Sequence, residues 1–198
     1  MEPSGPPPDD RPDVIVFTFD GSGPPPFHVR DQEALVAALP PCAVAPADRA
    51  RLAPVAFGPY PATVWLPDAG AAEPADVPEG TCQGWEWLDG AFLSIMVHRH
   101  AGLPGLYALV GYAPDACRAE LAGRPVAVTL APPGSPEPDG SGVTADHRAQ
   151  VGGYLDDHTS VWADVAAPTA AGRDRLLAAL FTLTPTPPPE PAGSRAAA

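Results

Sequence analysis

The sequence predicts an α+β domain, an antiparallel β-sheet with a C-terminal amphipathic helix packed on one face. Three observations carry this. Between residues 81 and 183, short β-branched and aromatic runs alternate with Gly, Pro and Asp turns. The run closes on a helical pattern in which Leu176, Leu177, Leu180 and Phe181 share one side. Strands grouped together and followed by a helix, instead of alternating with helices, form antiparallel sheets.

In chain order, Val14, Ile15, Val16, Phe17, Thr18 and Phe19 make a β-branched and aromatic run ended by Asp20-Gly21, which predicts a strand. Asp31 is placed to cap a short helix whose Leu35, Val36 and Leu39 give one apolar side before Pro40 and Pro41 stop it. Residues 47–52 offer a further turn, and residues 62–66 a strand followed by a loop over 67–80. The most explicit hairpin runs from Gly84 to Leu88 and from Ala91 to His98 around Asp89-Gly90, a pair suited to a two-residue type I′ turn. That turn pairs Trp87 with Phe92 and Trp85 with Ser94. Trp85, Trp87, Phe92, Met96 and His98 are then expected on one face, and Leu88, Leu93, Ile95 and Val97 on the other. A hairpin apolar on both faces belongs at the centre of a sheet, covered by a helix on one side and by loops or a partner on the other. Further strands are expected at 106–112 and 125–130, and a second hairpin joins 148–155 to 160–166. The closing helix spans 170–183, with Arg173, Asp174 and Arg175 at its start and solvent face and Pro185 ending it.

The 198 residues suffice for one well-buried core. Thirty Pro and 19 Gly make about a quarter of the chain and concentrate at 6–8, 24–26, 132–138 and 185–191. This distribution predicts a disordered N-terminal segment over 1–13, a single α+β domain over 14–184 and a disordered Pro/Ala-rich tail over 185–198. All 11 basic residues are Arg, and the chain has neither Lys nor Asn, as GC-rich coding produces. The formal charge of −13 repels phosphates and anionic lipid heads, so no nucleic acid or membrane surface is expected as a partner. No apolar stretch reaches the roughly 18 residues of a membrane span, so no transmembrane segment is expected. Met1-Glu2-Pro3 opens a Pro/Asp-rich segment instead of a signal peptide, so the compartment is left open: the cytoplasm is the expectation for the sequence as written, and export or the cell envelope if a leader was removed. Cys42, Cys82 and Cys117 lack CxxC spacing, which argues against a disulfide framework and a structural zinc site. Three buried thiols fit the cytosol, and one bridge plus one odd thiol fits export.

Several local patterns follow one another in a definite order. Val64-Trp65-Leu66-Pro67 runs into a loop, Trp87-Leu88-Asp89-Gly90 leads a long strand, and Cys117-Arg118-Ala119-Glu120-Leu121-Ala122-Gly123-Arg124 enters a short one. A hairpin from Tyr154 to Trp162 and the Leu-rich helix complete the order. In this, residues 62–183 resemble the MOG1/PsbP-like superfamily, which includes small bacterial lipoproteins. The resemblance implies a MOG1/PsbP-like fold and a bacterial, non-enzymatic accessory or binding protein. It departs from the lipoprotein branch in lacking a leader, and the segment before Pro59 has no counterpart in it. Within the resembling block, Cys82 and Cys117 both stand at loop–strand joints, so in an exported protein they are expected to pair and leave Cys42 over.

Reactive patterns are few. His98 and His100 project to one side of a strand, as two imidazoles addressing one metal do, and Asp146-His147 or Asp156-Asp157-His158 can supply further ligands. Neither spacing matches a compact zinc motif, and a His-x-His at a strand end beside a Gly/Pro loop is usually a solvated edge. Asp156 and Asp157 fall where a hairpin loop uses carboxylates to build turns. Ser22 and Ser141 lack the Gly-x-Ser-x-Gly elbow, and Cys117 has a single neighbouring cation, Arg118. Gly21-Ser22-Gly23 follows a strand, but three prolines remove the amide donors that a phosphate loop needs. The expectation is therefore a non-enzymatic binding protein without a cofactor, whose aromatic face of Trp85, Trp87, Phe92 and Met96 meets a protein partner or a small apolar ligand. The alternative is a metal-dependent enzyme with a His98/His100 site.

Overall fold

The computed structural model describes residues 29–68, 73–75, 82–99, 115–131, 147–157 and 159–186. The strands expected at 14–19 and 106–112 lie outside these residues, as do 1–13 and 187–198. The first helix, α1 (Val29–Ala37), ends before Pro40 and Pro41, which cannot continue it. A 3-10 turn at Arg49–Arg51 follows, capped by Asp48, whose Oδ1 accepts from the Ala50 amide at 3.2 Å. The strands are β1 (Leu52–Phe57), β2 (Ala62–Pro67), β3 (Glu73–Ala75), β4 (Cys82–Glu86), β5 (Phe92–Arg99), β6 (Cys117–Leu121), β7 (Arg124–Ala131), β8 (His147–Asp156), β9 (Thr159–Ala167) and β10 (Thr184–Pro185). Helix α2 (Ala170–Leu180) lies between β9 and β10 in the chain.

The α+β class holds, with antiparallel pairing throughout both sheets, but the single sheet does not. One sheet has seven strands in the order β3-β4-β5-β9-β8-β7-β6, and a second has three in the order β1-β2-β10. The tail boundary also moves: Pro185 pairs with Ala62, and the Thr186 amide donates to the Pro61 carbonyl at 2.7 Å. Helix α2 does not lie on one face with its other side in water. It is wedged against β2 of the small sheet and against β8 and β9 of the large one. Leu176, Leu177, Ala178, Ala179 and Leu180 are accordingly buried all around its second half. Thr169 starts it, its Oγ1 accepting from the Gly172 amide at 3.0 Å, so one of the helix's unpaired donors is satisfied.

The core lies between the sheets and α2. Leu93, Ile95 and Val97 of β5, Val161, Ala163 and Val165 of β9, and Val64 and Leu66 of β2 face into it, with the strand period of two choosing which residues are buried. A smaller cluster on the opposite face of the large sheet holds α1 through Val36, packed with Ala127 and Tyr154. Among the described residues, no helix is long and apolar enough to cross a membrane.

The first hairpin is displaced from its expected register by one residue. The Gly90 amide donates to the Trp87 carbonyl at 2.8 Å, and the Trp87 amide donates to the Ala91 carbonyl at 2.9 Å. Leu88, Asp89 and Gly90 therefore form a three-residue loop, a type I turn closed by Gly90 at φ 78°. Trp85 faces Leu93 and Glu86 faces Phe92. With a side-chain period of two, that single residue sends Trp85 and Trp87 to the core side with Leu93 and Ile95, and leaves Phe92 and Met96 on the other. The two-residue turn that the first hairpin lacks occurs between β6 and β7, where Leu121 faces Arg124 across Ala122 (φ 54°) and Gly123 (φ 79°).

Candidate functional site

The expected aromatic surface is not assembled. Trp85 and Trp87 are 4% and 6% exposed, and the Trp87 indole Nε1 donates to the Pro67 carbonyl at 3.0 Å, so both rings belong to the core. Phe92 and Met96 stand half-buried on the opposite face, beside a polar group on β8 and β9. There Asp164 accepts from Gln150 Nε2 at 3.0 Å and from Trp162 Nε1 at 3.1 Å. His98 pairs in register with Ser160 on β9, while its side chain, His100, Asp146 and His158 lie outside the described residues. Among the described residues no group of three or more His, Cys, Asp or Glu is arranged to hold a metal ion. Asp156 and Asp157 are engaged in tertiary contacts: Asp156 accepts from the Tyr60 hydroxyl at 2.9 Å, and Asp157 pairs with Arg124. Arg124 also sits 3.2 Å from Glu33, tying α1 to two hairpin ends.

Among the described residues a cavity lies elsewhere, beneath a strap that sequence reasoning passed over. After Pro40 and Pro41 end α1, the chain runs along the free edge of β6 for one residue pair. The Arg118 amide donates to the Pro40 carbonyl, the Cys42 amide donates to the Arg118 carbonyl, both at 2.8 Å, and Pro41 bridges Arg118 in parallel. Cys42 and Cys117 are joined by a disulfide, with Cα atoms 4.9 Å apart. This corrects the Cys82–Cys117 pairing; Cys82, on β4, takes no part. The cause is topological: four strands separate β4 from β6 in the large sheet, and the strap brings Cys42 to the β6 edge.

Beyond Cys42 the strap leaves the edge and encloses, with β6 and the end of α2, a groove of about 390 Å³. Val44, Ala45, Ala119, Ala178 and Phe181 supply its apolar lining. Phe181, expected in the core, is half-buried here instead. Arg49, Arg118 and Glu120 are its charged residues. Each Arg is held in place: the Arg49 guanidinium lies 5.6 Å from the centre of the Trp65 ring, and Arg118 Nη1 donates to the Ala37 carbonyl at 3.0 Å. The one hydroxyl in the lining, that of Thr182, donates to the Ala179 carbonyl at 2.6 Å and accepts from the Trp65 amide at 2.9 Å.

No protein-family model matches this chain, and no curated protein shows significant similarity to it. The groove offers apolar contact, and Arg49, Arg118 and Glu120 are among its lining residues, in a chain whose formal charge is −13. Its lining holds no pairing of a nucleophile with a base, since the cysteine is in a disulfide and the hydroxyl is committed to the backbone.

Proposed function

We propose that the protein is a non-enzymatic accessory protein that binds a small amphipathic molecule, with an apolar body and an anionic end, in the groove between the strap and α2. The observation that carries this is the local reversal of charge. A strongly acidic chain places two arginines, Arg49 and Arg118, and one glutamate, Glu120, among the residues that line an apolar groove. A volume of about 390 Å³ lies within the range of small-molecule sites. An apolar body gains from leaving water along Val44, Ala119 and Phe181, and a carboxylate gains the paired N–H donors of a guanidinium. The MOG1/PsbP-like kinship belongs with this reading, supported by the antiparallel sheet and the Leu-rich terminal helix; so does a bacterial origin.

Decanoate is a suitable probe. Titrated into isotope-labelled protein, it should shift the amides of Val44, Ala119, Ala178 and Phe181 saturably, and decan-1-ol should bind more weakly. Ala178→Phe, which fills the groove, should remove the response. Equal binding of the alcohol would refute the anionic end, and shifts scattered away from the groove would refute the site.

A further inference from the structure

We infer that the Cys42–Cys117 disulfide is a redox latch on this groove. The inference rests on the groove being the binding site for its purpose, though the latch itself stands on separate geometry. Cys42 and Arg118 line the groove, so the strap anchored at these residues is also the groove's wall. The strap's backbone can do little to hold itself. Pro40 and Pro41 have no amide hydrogen, so the first donor available to the edge is Cys42. Among the described residues, the backbone bonds between strap and β6 are the two that Arg118 makes, with Pro40 and Cys42. Residues 43–47 form no further ladder, and the Arg118 side chain adds one bond to Ala37. The covalent link is thus the principal tie at the point where the strap turns away from the sheet.

Release at this point leaves the sheet intact. β6 keeps its full pairing with β7 from Cys117–Val128 to Leu121–Arg124, and the remaining strands are paired among themselves. The two sulfurs differ in access: Cys42 is half-buried at the groove, and Cys117 is 9% exposed in the core. A thiolate of a dithiol reductant therefore attacks the Cys42 sulfur, breaking the S–S bond and expelling the Cys117 thiolate. The second thiol of the reductant resolves the mixed disulfide. The protein ends with two thiols, having taken two electrons and two protons, and the reductant ends as its disulfide. The strap is then free to swing from β6, and the groove loses one wall.

Amide hydrogen exchange on the full chain, oxidised and after dithiothreitol, tests this. The Cys42 and Arg118 amides should exchange at least about tenfold faster once reduced, while the ladder amides of β5 and β8 keep their rates. Decanoate affinity should fall by a similar factor, and a Cys42→Ser/Cys117→Ser variant should behave like the reduced protein. Unchanged protection at Cys42 and Arg118 would overturn the latch, as would loss of protection in β5 and β8 together with them. If the oxidised protein fails to bind decanoate while the amides respond as expected, the groove's proposed ligand is wrong and the latch stands.

Discussion

Gly153→Ala is expected to lower stability by about 1–3 kcal/mol, the usual effect of forcing an extra carbon into a packed interior. Gly153 lies on β8 opposite Val161, and a Cβ built on it falls 2.5 Å from Val126 Cγ1, 3.2 Å from Val126 Cβ and 3.3 Å from Val126 Cα. Carbon atoms attract best at about 3.5–4.0 Å, so the added methyl is roughly 1 Å too close to Cγ1. Turning the valine side chain cures only that contact, because Cβ and Cα do not move with the rotamer. Val126 is itself fully buried, so relief requires β7 and β8 to part. Alanine also restricts the unfolded chain, a gain of about 0.4–1 kcal/mol that the overlap has to exceed. Urea titration followed by the fluorescence of buried Trp85 and Trp87 gives the midpoint. In a Val126→Ala background the same substitution should cost less, with a coupling of about 0.5–3 kcal/mol. An unchanged or higher midpoint for Gly153→Ala, or strict additivity in the pair, would refute the packing argument.

Leu180→Ala should cost about 2–5 kcal/mol by guanidinium denaturation, since the side chain is fully buried where α2 meets both sheets; a neutral result would mean the core is misplaced. Ala122→Asn should raise the melting temperature, because Ala122 holds a left-handed conformation that costs an ordinary L-residue about 1–2 kcal/mol and that Asn tolerates; a lowered melting temperature would show that its packing against the core matters more.

Much of this architecture was legible, and the failures have identifiable causes. The position of the Leu176, Leu177 and Leu180 helix, the second hairpin and strand β2 follow from periodicity and turn residues, which are local signals. The register of the first hairpin does not, because Asp89-Gly90 suits a two-residue I′ turn and also the last two places of a three-residue loop. The side chains of both strands accept either, and only the packing of Trp85 and Trp87 against Leu93 decides. β1 was hidden by Pro54, and β6 by helix-favouring Ala, Glu and Leu; each becomes a strand through pairing with its neighbour. The candidate site was illegible for a stronger reason. Cys42 and Cys117 are 75 residues apart, and the groove is made by three segments whose meeting depends on the order of strands across the sheet.

The prolines have a role inside the fold that their clustering at chain ends and joints conceals. Among the described residues, the outer strands of the two sheets are β3, β6, β1 and β10. Pro74 lies in β3, Pro54 in β1 and Pro185 in β10, while the β6 edge is met by Pro41 of the strap. An exposed strand edge is a template on which another copy can add its own strand, and a residue without an amide hydrogen interrupts that template. A second molecule approaching any of the four edges meets a broken row of donors. Self-association by strand addition is opposed at each of them, and a sheet-rich chain is kept from growing into a continuous ladder.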